Sequence, residues 1–557
     1  MSVARGKGAA LTVATLAVLL MPGILSAPAV AAPTATVEPI SVAVVLPITA
    51  DAGDAGVLDA DALTILTSPA GSLTIELDEA LATSATIALD PMIVSSIRSL
   101  GSAAPESALS WLARLESAPN EVFLLSYADA DVSAFARDGA LDLAQPLDLT
   151  FALDQGAFGP AETATPTPTA SPSPTSTETA APNDDPPPLP TTEELLAWPD
   201  AIGPIAWPAD GSATSSDLPA YLESGYEAVL LSSANVSETA SAGADVAGMP
   251  VLVADSAASE LLREASAAVD PTTRQAAIAR LGVALDGLAA AHPGRTVVLT
   301  INRSLSSPVF GFAETYAAVE ARGSTRMTSL AAVLATGGEG ASVVDGAPSA
   351  HIDEAPRLFA AVRAEEDFAS ILDDPVPLTA ARRLQLLSLL AVHDVDGTGW
   401  SDRAAVFLER SDEILDSVTI VDGLPILVTS TSTTVPVVIS NSLDFTVTVR
   451  IEARATRPLL TIDSGREVTI EPGSTKTVRL DAQAVTNGVV DVVFTVVNPS
   501  TGQQIGPAHV VEARLEAQWE TVGLIGGAVI GVIFAVGIVR NIVLRRRKAT
   551  RPKQADA

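Results

Sequence analysis

The chain has 557 residues, 48% of them hydrophobic and 18% charged, with a formal net charge of −34 and no cysteine. This length exceeds one ordinary domain, the apolar content rules out general disorder, and the missing cysteine rules out thiolate metal centres, iron–sulfur clusters and cysteine nucleophiles. Removing the +6 of residues 540–557 and the +2 of the first 31 leaves about −42 on residues 32–539, which repels nucleic acid and anionic polymers. Such a surface suits neutral glycans, cations or proteins with basic patches as partners, or serves solubility alone.

Residues 1–31 read as a signal peptide: Arg5 and Lys7 precede an apolar core from Leu11 to Leu20, Pro22-Gly23 breaks it, and Ala29-Val30-Ala31 supplies small residues for cleavage. Short apolar runs follow at Ser41–Ile48, Ala85–Leu89 and Glu121–Tyr127, and again at Gly203–Trp207, Glu227–Leu231, Pro250–Val253 and Thr296–Ile301. Runs without alternation suit strands buried on both faces of a parallel sheet. Helical periodicity at Ser72–Leu81, Pro105–Glu116 and Thr273–Ala291 lies between them, so the chain predicts an α/β head over residues 38–160 and 191–345, built as a β/α-barrel-like or doubly wound sheet. The Pro/Thr/Ser-rich run at 161–190 is a solvated tether suited to O-glycosylation. Three strands before it make a poor domain, which favours an insertion in the head over a domain boundary.

Residues 346–420 turn helical, with three- and four-residue spacing in Ala355–Ile371, Leu378–His393 and Ser401–Ser417, broken by Gly397 and Gly399. Residues 424–518 alternate strictly, as in Thr446–Ile451 and Thr475–Leu480, with further strands at Val435–Ile439, Val489–Val497 and His509–Leu515. Turn signals at Asn441-Ser442, Glu471-Pro472-Gly473 and Asn498–Gly502 divide them, which predicts an immunoglobulin-like β-sandwich acting as a stalk. Val522–Val539 carries no charge and is followed by Arg540, Arg545, Arg546, Arg547, Lys548, Arg551 and Lys553. A transmembrane helix is expected over 521–544 with a basic tail at 545–557 held in the cytoplasm, making a single-pass protein with an extracytoplasmic body. Gly523, Gly527 and Gly531 line one face of this helix and permit close packing against a second copy or a partner helix.

The strings Thr86–Pro91, Pro119-Asn120, Tyr127–Asp131, Ile205–Pro208 and the Glu471–Ser474 turn make the chain resemble, over its whole length, a family of secreted, membrane-anchored proteins of high-GC Gram-positive bacteria. That resemblance implies a gene commonly near that of the lipid II flippase and a cell-envelope role. It brings no activity and no catalytic residue.

Parallel strands gather their C-terminal ends on one edge, where β/α folds place their sites. Asp90 follows the second expected strand, Asp129 and Asp131 the third, Asp210 the fourth, Asp255 the sixth, and Asn302 with Arg303 the seventh. Tyr127, Trp207 and Trp198 add aromatic faces of the kind that stack on sugars. Such an edge is a carbohydrate-facing mouth in which one carboxylate protonates a glycosidic oxygen and another acts as nucleophile or base. The structural alternative makes each Asp a helix N-cap, as Asp90-Pro91 and Asp255-Ser256 both allow.

No metal or cofactor is expected. His292, His351, His393 and His509 lack the spacing of a metal-dependent deacetylase, the first strand ends in Pro47-Ile48-Thr49-Ala50-Asp51 without an acidic pair or histidine, and Asp394–Gly399 puts its glycine too early for an EF-hand. Neither GxSxG nor Walker spacing occurs. A non-enzymatic envelope protein that holds glycan, lipid-linked precursor or a protein partner is favoured. A carbohydrate-active enzyme and a structural partner of a membrane transporter are the alternatives.

Overall fold

The structure, a computed structural model, describes residues 38–158, 188–237, 242–305, 309–346, 350–395, 397, 399–421, 423, 425–516 and 519–548. The expected signal peptide, nearly all of the Pro/Thr/Ser-rich run and the end of the basic tail lie outside these residues.

The head is organised by β1 (Ile40–Ile48), β2 (Thr86–Leu89), β3 (Val122–Leu124), β4 (Ile205–Ala206), β5 (Ala228–Ser232), β6 (Gly243–Val246), β7 (Met249–Ala254), β8 (Thr296–Thr300), β9 (Thr325–Met327) and β10 (Glu339–Gly340). Parallel pairing runs in the order β3-β2-β1-β8-β7-β5-β4, so the three strands before residue 159 and those after residue 187 share one sheet. This order is chain order wrapped round on itself, with the last long strand pairing the first. The sheet curls into a half-barrel, and its free edges approach where the Ile202 N–H donates to the Val122 carbonyl at 2.8 Å.

All seven expected strands are present, and their two faces explain the continuous apolar runs. Val42, Val44, Leu46 and Ile48 of β1 join the core beneath the outer helices, whereas Ala43 and Val45 face a second core with Ala88, Phe123, Ala228, Leu252 and Val298. Small alanines at the inward positions let the sheet curl tightly around Phe123 and Trp207. Leu330 and Val333, from the helix Leu330–Thr336, complete that inner core. β6, which pairs antiparallel with β7, and the short β9 and β10 were not expected; these three have only two to four residues, too few to show a period.

Helices Ala350–Ala369, Val376–Leu389 and Trp400–Leu415 form the expected helical region, the last starting after Gly399 at φ 108. Leu358, Phe359, Leu384, Leu387, Trp400 and Phe407 share the head's main core. Inside it, Arg382 clamps Glu365 with Nε and Nη2 at 2.8 Å each, both side chains buried, and lies 3.8 Å from the Phe407 ring centroid. A bidentate, fully desolvated pair fixes the register of two helices more than it adds stability.

The next unit contains β11 (Val418–Ile420), β12 (Ile426–Val428), β13 (Ser432–Asn441), β14 (Val447–Ala455), β15 (Leu460–Ile462), β16 (Arg466–Ile470), β17 (Ser474–Ala484), β18 (Gly488–Val497) and β19 (Gln504–Leu515). Sheets β11-β13-β17-β15 and β12-β19-β18-β14-β16 pack on a common core of alternating residues such as Val437, Val449, Leu480 and Val492. Pairing is antiparallel except for β12 with β19, which is parallel. Phe368, Ile371, Leu372 and Ile414 of the helical region enter this same core, and Leu372 bridges to Val447. The helical region and the sheets are therefore one cooperative junction rather than beads on a string.

The C-terminal helix Trp519–Lys548 contains a stretch, Gly523–Arg546, whose most apolar 18 residues have a mean hydropathy of 2.2 and no burial against the rest of the described chain. It is long and apolar enough to cross a membrane. Gly523, Gly527 and Gly531 lie on it with open space beside each.

Candidate functional site

Each parallel strand ends by releasing a polar residue at the same rim. Asp90 follows β2, and its Oδ1 accepts from the Met92 N–H at 2.9 Å, which makes it an N-cap, and also from the Ala128 N–H at 3.0 Å. Its Oδ2 is buried without a hydrogen-bond partner. Burial pushes this carboxyl well above the ordinary carboxylate range, the neighbouring Asp129 charge adds to the rise, and the two N–H donors oppose it.

After β3 the chain turns sharply through Ala128 at φ 56 and Asp129 at φ 51. Two consecutive left-handed residues with side chains are costly, of order 1–2 kcal/mol each, and persist only where surroundings enforce them. Here they aim Asp129 inward. Arg303 follows β8, and its Nη1 donates to Asp129 Oδ1 and to the Trp207 carbonyl at 2.7 Å each, while Nη2 donates to the Pro208 carbonyl at 2.6 Å. The guanidinium also stacks 4.6 Å from the Trp207 ring centroid. Burial nevertheless outweighs Arg303 and lifts Asp129 to about 6.

Asp131 behaves in the opposite way. It caps the helix Val132–Arg137 and accepts from the Ser133 N–H at 3.1 Å, from the Ser133 hydroxyl at 2.8 Å and from the Ala209 N–H at 3.0 Å, with His351 Nε2 2.8 Å from its Oδ2. Burial raises its pKa, but His351 and these donors together hold it below the ordinary value.

The expected residues therefore divide. Asp90, Asp129 and Asp131 converge with Arg303 and Trp207 in one buried network, and Tyr127 joins it, its hydroxyl donating to the Gly56 carbonyl at 3.0 Å. Asn302 is half-buried with an unpartnered Oδ1. Asp255 caps the helix Ser256–Ala267 and Asp210 is exposed. Trp198 packs against the outside of the head core.

What the sequence did not point to is the cover. The Asp131 N–H donates to Leu390 and the Val392 N–H to Asp129, at 2.8 and 2.9 Å, so residues 390–392 of the helical region lie as a short bridge over the rim. His393 follows it with an unpartnered Nδ1, its pKa lowered by burial and by Arg403 and Arg303 against the opposing pull of Asp51. Asp90, Asp129 and Asp131 are each 0% exposed. No group of three or more His, Asp or Glu among the described residues is arranged to hold a metal ion.

A curled parallel sheet with a covered rim, a helical region, paired sheets and one apolar helix define a multidomain α/β protein. By its sequence the chain belongs to DUF6049, a family of unknown function whose model matches residues 24–554. No curated protein matches the chain in sequence. Among solved structures it is similar to the α-amylase AmyC from Thermotoga maritima at 9% identity and TM-score 0.43, covering 68% of this chain and 93% of that one. It is also similar to the native α-2-macroglobulin of E. coli, at 19% identity and TM-score 0.15 over 18% of this chain, spanning 7% of that protein. The PapD-like domain 7 of human CEP192 gives 10% identity and TM-score 0.15, over 18% of this chain and 87% of that domain.

Proposed function

We propose that this is a non-enzymatic, membrane-anchored extracytoplasmic protein of the cell envelope, whose barrel-like head binds a partner and whose immunoglobulin-like stalk carries that head outward from the bilayer. One observation carries the reading: the three strand-end carboxylates that converge, Asp90, Asp129 and Asp131, have no exposed surface, and residues 390–392 bridge over their rim. General acid and nucleophile must reach a glycosidic bond with room for water. A carboxylate consumed by Arg303, and another capping a helix beneath a cover, meet neither requirement. The body's surplus of negative charge and the apolar C-terminal helix support an anchored binder.

The carbohydrate-active alternative is favoured by the free Oδ2 atoms of Asp90 and Asp129 and by the elevated proton affinity of both carboxyls. The two readings separate on labelled peptidoglycan or arabinogalactan incubated with the full chain in detergent. No release of label is the expected result. Turnover that disappears in an Asp90→Asn, Asp129→Asn variant would overturn the proposal in favour of an enzyme. Exchange of the apolar helix for an unrelated span leaves a head-based function intact; loss of function on that swap would instead support a structural partner of a transporter.

A further inference from the structure

A cavity of about 590 Å³ opens beside the covered rim, between the turn after β1 and the second and third helices of the helical region. Its size is that of a site for a small ligand or a few residues of peptide. Its apolar lining is Leu389, Phe407 and Val406, the last 64% exposed. The walls carry charges of both signs, but their partners are unequal. Arg382 is taken up by the buried Glu365, Arg403 pairs with Asp394, and Arg410 pairs with Glu413 at the surface. Asp51, Asp54 and Asp402 also line the cavity, all three exposed, and none has a cationic partner among the described residues. These three carboxylates do not form a group able to hold a metal ion. They answer instead to spaced positive charges on one longer ligand, whose methylene stems can lie against Leu389, Val406 and Phe407 while the charged heads reach the carboxylates.

We infer that this cavity is a docking site for a basic peptide segment, with lysine or arginine side chains seated between Asp51, Asp54 and Asp402. The assignment rests on the non-enzymatic binding role and names its partner class. A partner with a basic patch is also what the charge of about −42 on residues 32–539 attracts at long range.

The test uses the full chain in detergent with a fluorescein-labelled peptide of alternating lysine and alanine, its glutamate counterpart, and a hexamer of N-acetylglucosamine. The lysine peptide binds in a salt-sensitive manner and the glutamate peptide does not. An Asp51→Asn, Asp54→Asn, Asp402→Asn variant weakens lysine-peptide binding at least ~10-fold, and Val406→Arg, at an exposed position that leaves folding intact, abolishes it. Equal binding of both peptides, binding unaffected by either variant, or binding of the glycan in place of the lysine peptide overturns the inference. Because none of these outcomes measures hydrolysis, failure here is distinct from failure of the non-enzymatic reading.

Discussion

Arg303 and Asp129 stand 174 residues apart in sequence, yet Nη1 of one donates to Oδ1 of the other at 2.7 Å with both side chains buried. The same guanidinium satisfies the Trp207 and Pro208 carbonyls, so one side chain ties β8 to the turn after β3 and to the segment after β4 across the curl.

Removing that side chain leaves a buried carboxylate and two carbonyls without their donor. Arg303→Met should therefore destabilise the head by about 3–5 kcal/mol at neutral pH, the range for breaking a buried pair by deleting one partner. Urea midpoints give the measurement. Adding Asp129→Asn to Arg303→Met should recover part of the loss, because the stranded charge is then gone. A double variant less stable than Arg303→Met would show that the carbonyls, not the carboxylate, dominate the cost.

Asp129 also gives the head a signed pH dependence. An acid whose native pKa lies at about 6 against an ordinary 3.8 holds its proton more tightly when folded. Its contribution to stability is fully present below 3.8 and is lost as pH rises through about 6. The stability of the unmodified chain minus that of Asp129→Asn should fall across this window, since the other titrating groups cancel in the difference. Asp131, held low, contributes in the reverse sense: its stabilisation is lost only as pH falls below the ordinary carboxylate range. A difference curve for Asp129→Asn that is flat between pH 4 and pH 7, about the window those values define, would mean that Arg303 keeps the carboxylate ionised throughout.

These buried contacts also mark where the sequence stops being informative. Strands and long helices announce themselves by period, so Ser72–Leu81 is found to the residue and β1, β5 and β8 to within one. Strand-end aspartates follow from strand direction, and the N-cap roles of Asp90, Asp131 and Asp255 follow from the helices they precede. Nothing local tells that Asp129 turns inward rather than capping a helix, because its direction is set by a left-handed turn built on Ala128 rather than on glycine. The His351–Asp131 contact spans 220 residues and the cover at 390–392 is only three residues long. Neither has a period to read. Asn120, by contrast, looked like a motif and proves structural: its amide donates to the carbonyls of Ala80, Thr83 and Ala85.

The cover itself is testable at a glycine. Gly56 sits at φ +69 after β1, and a Cβ there would lie 2.4 Å from the Leu384 carbonyl oxygen on the second helix of the helical region. Neither backbone can yield cheaply, so Gly56→Ala combines left-handed strain with a steric clash and should cost about 2–4 kcal/mol. The helical region should also lift from the rim. Limited proteolysis at the loop after Leu389, together with the accessibility of His393 to an imidazole-modifying reagent, reports that movement. Unchanged protection in a stably folded Gly56→Ala would mean that residues 390–392 are held by their own hydrogen bonds and not by the close approach at Gly56.

The apolar helix carries the last expectation. Ile530 and Phe534 lie on its central part, 66% and 72% exposed, with no protein core against them. An arginine at the centre of a span costs about 2.5–3.5 kcal/mol of insertion free energy, which a span whose most apolar 18 residues have a mean hydropathy of 2.2 absorbs once. Phe534→Arg should consequently remain in the carbonate-resistant membrane fraction. Ile530→Arg with Phe534→Arg places two charges one turn apart on the same face, where neither can snorkel to an interface, and should shift most of the chain to the soluble fraction. Full retention of the double variant would indicate that the charged face is shielded by a second helix, and pairing through the stripe of Gly523, Gly527 and Gly531 would then be the arrangement to probe by crosslinking.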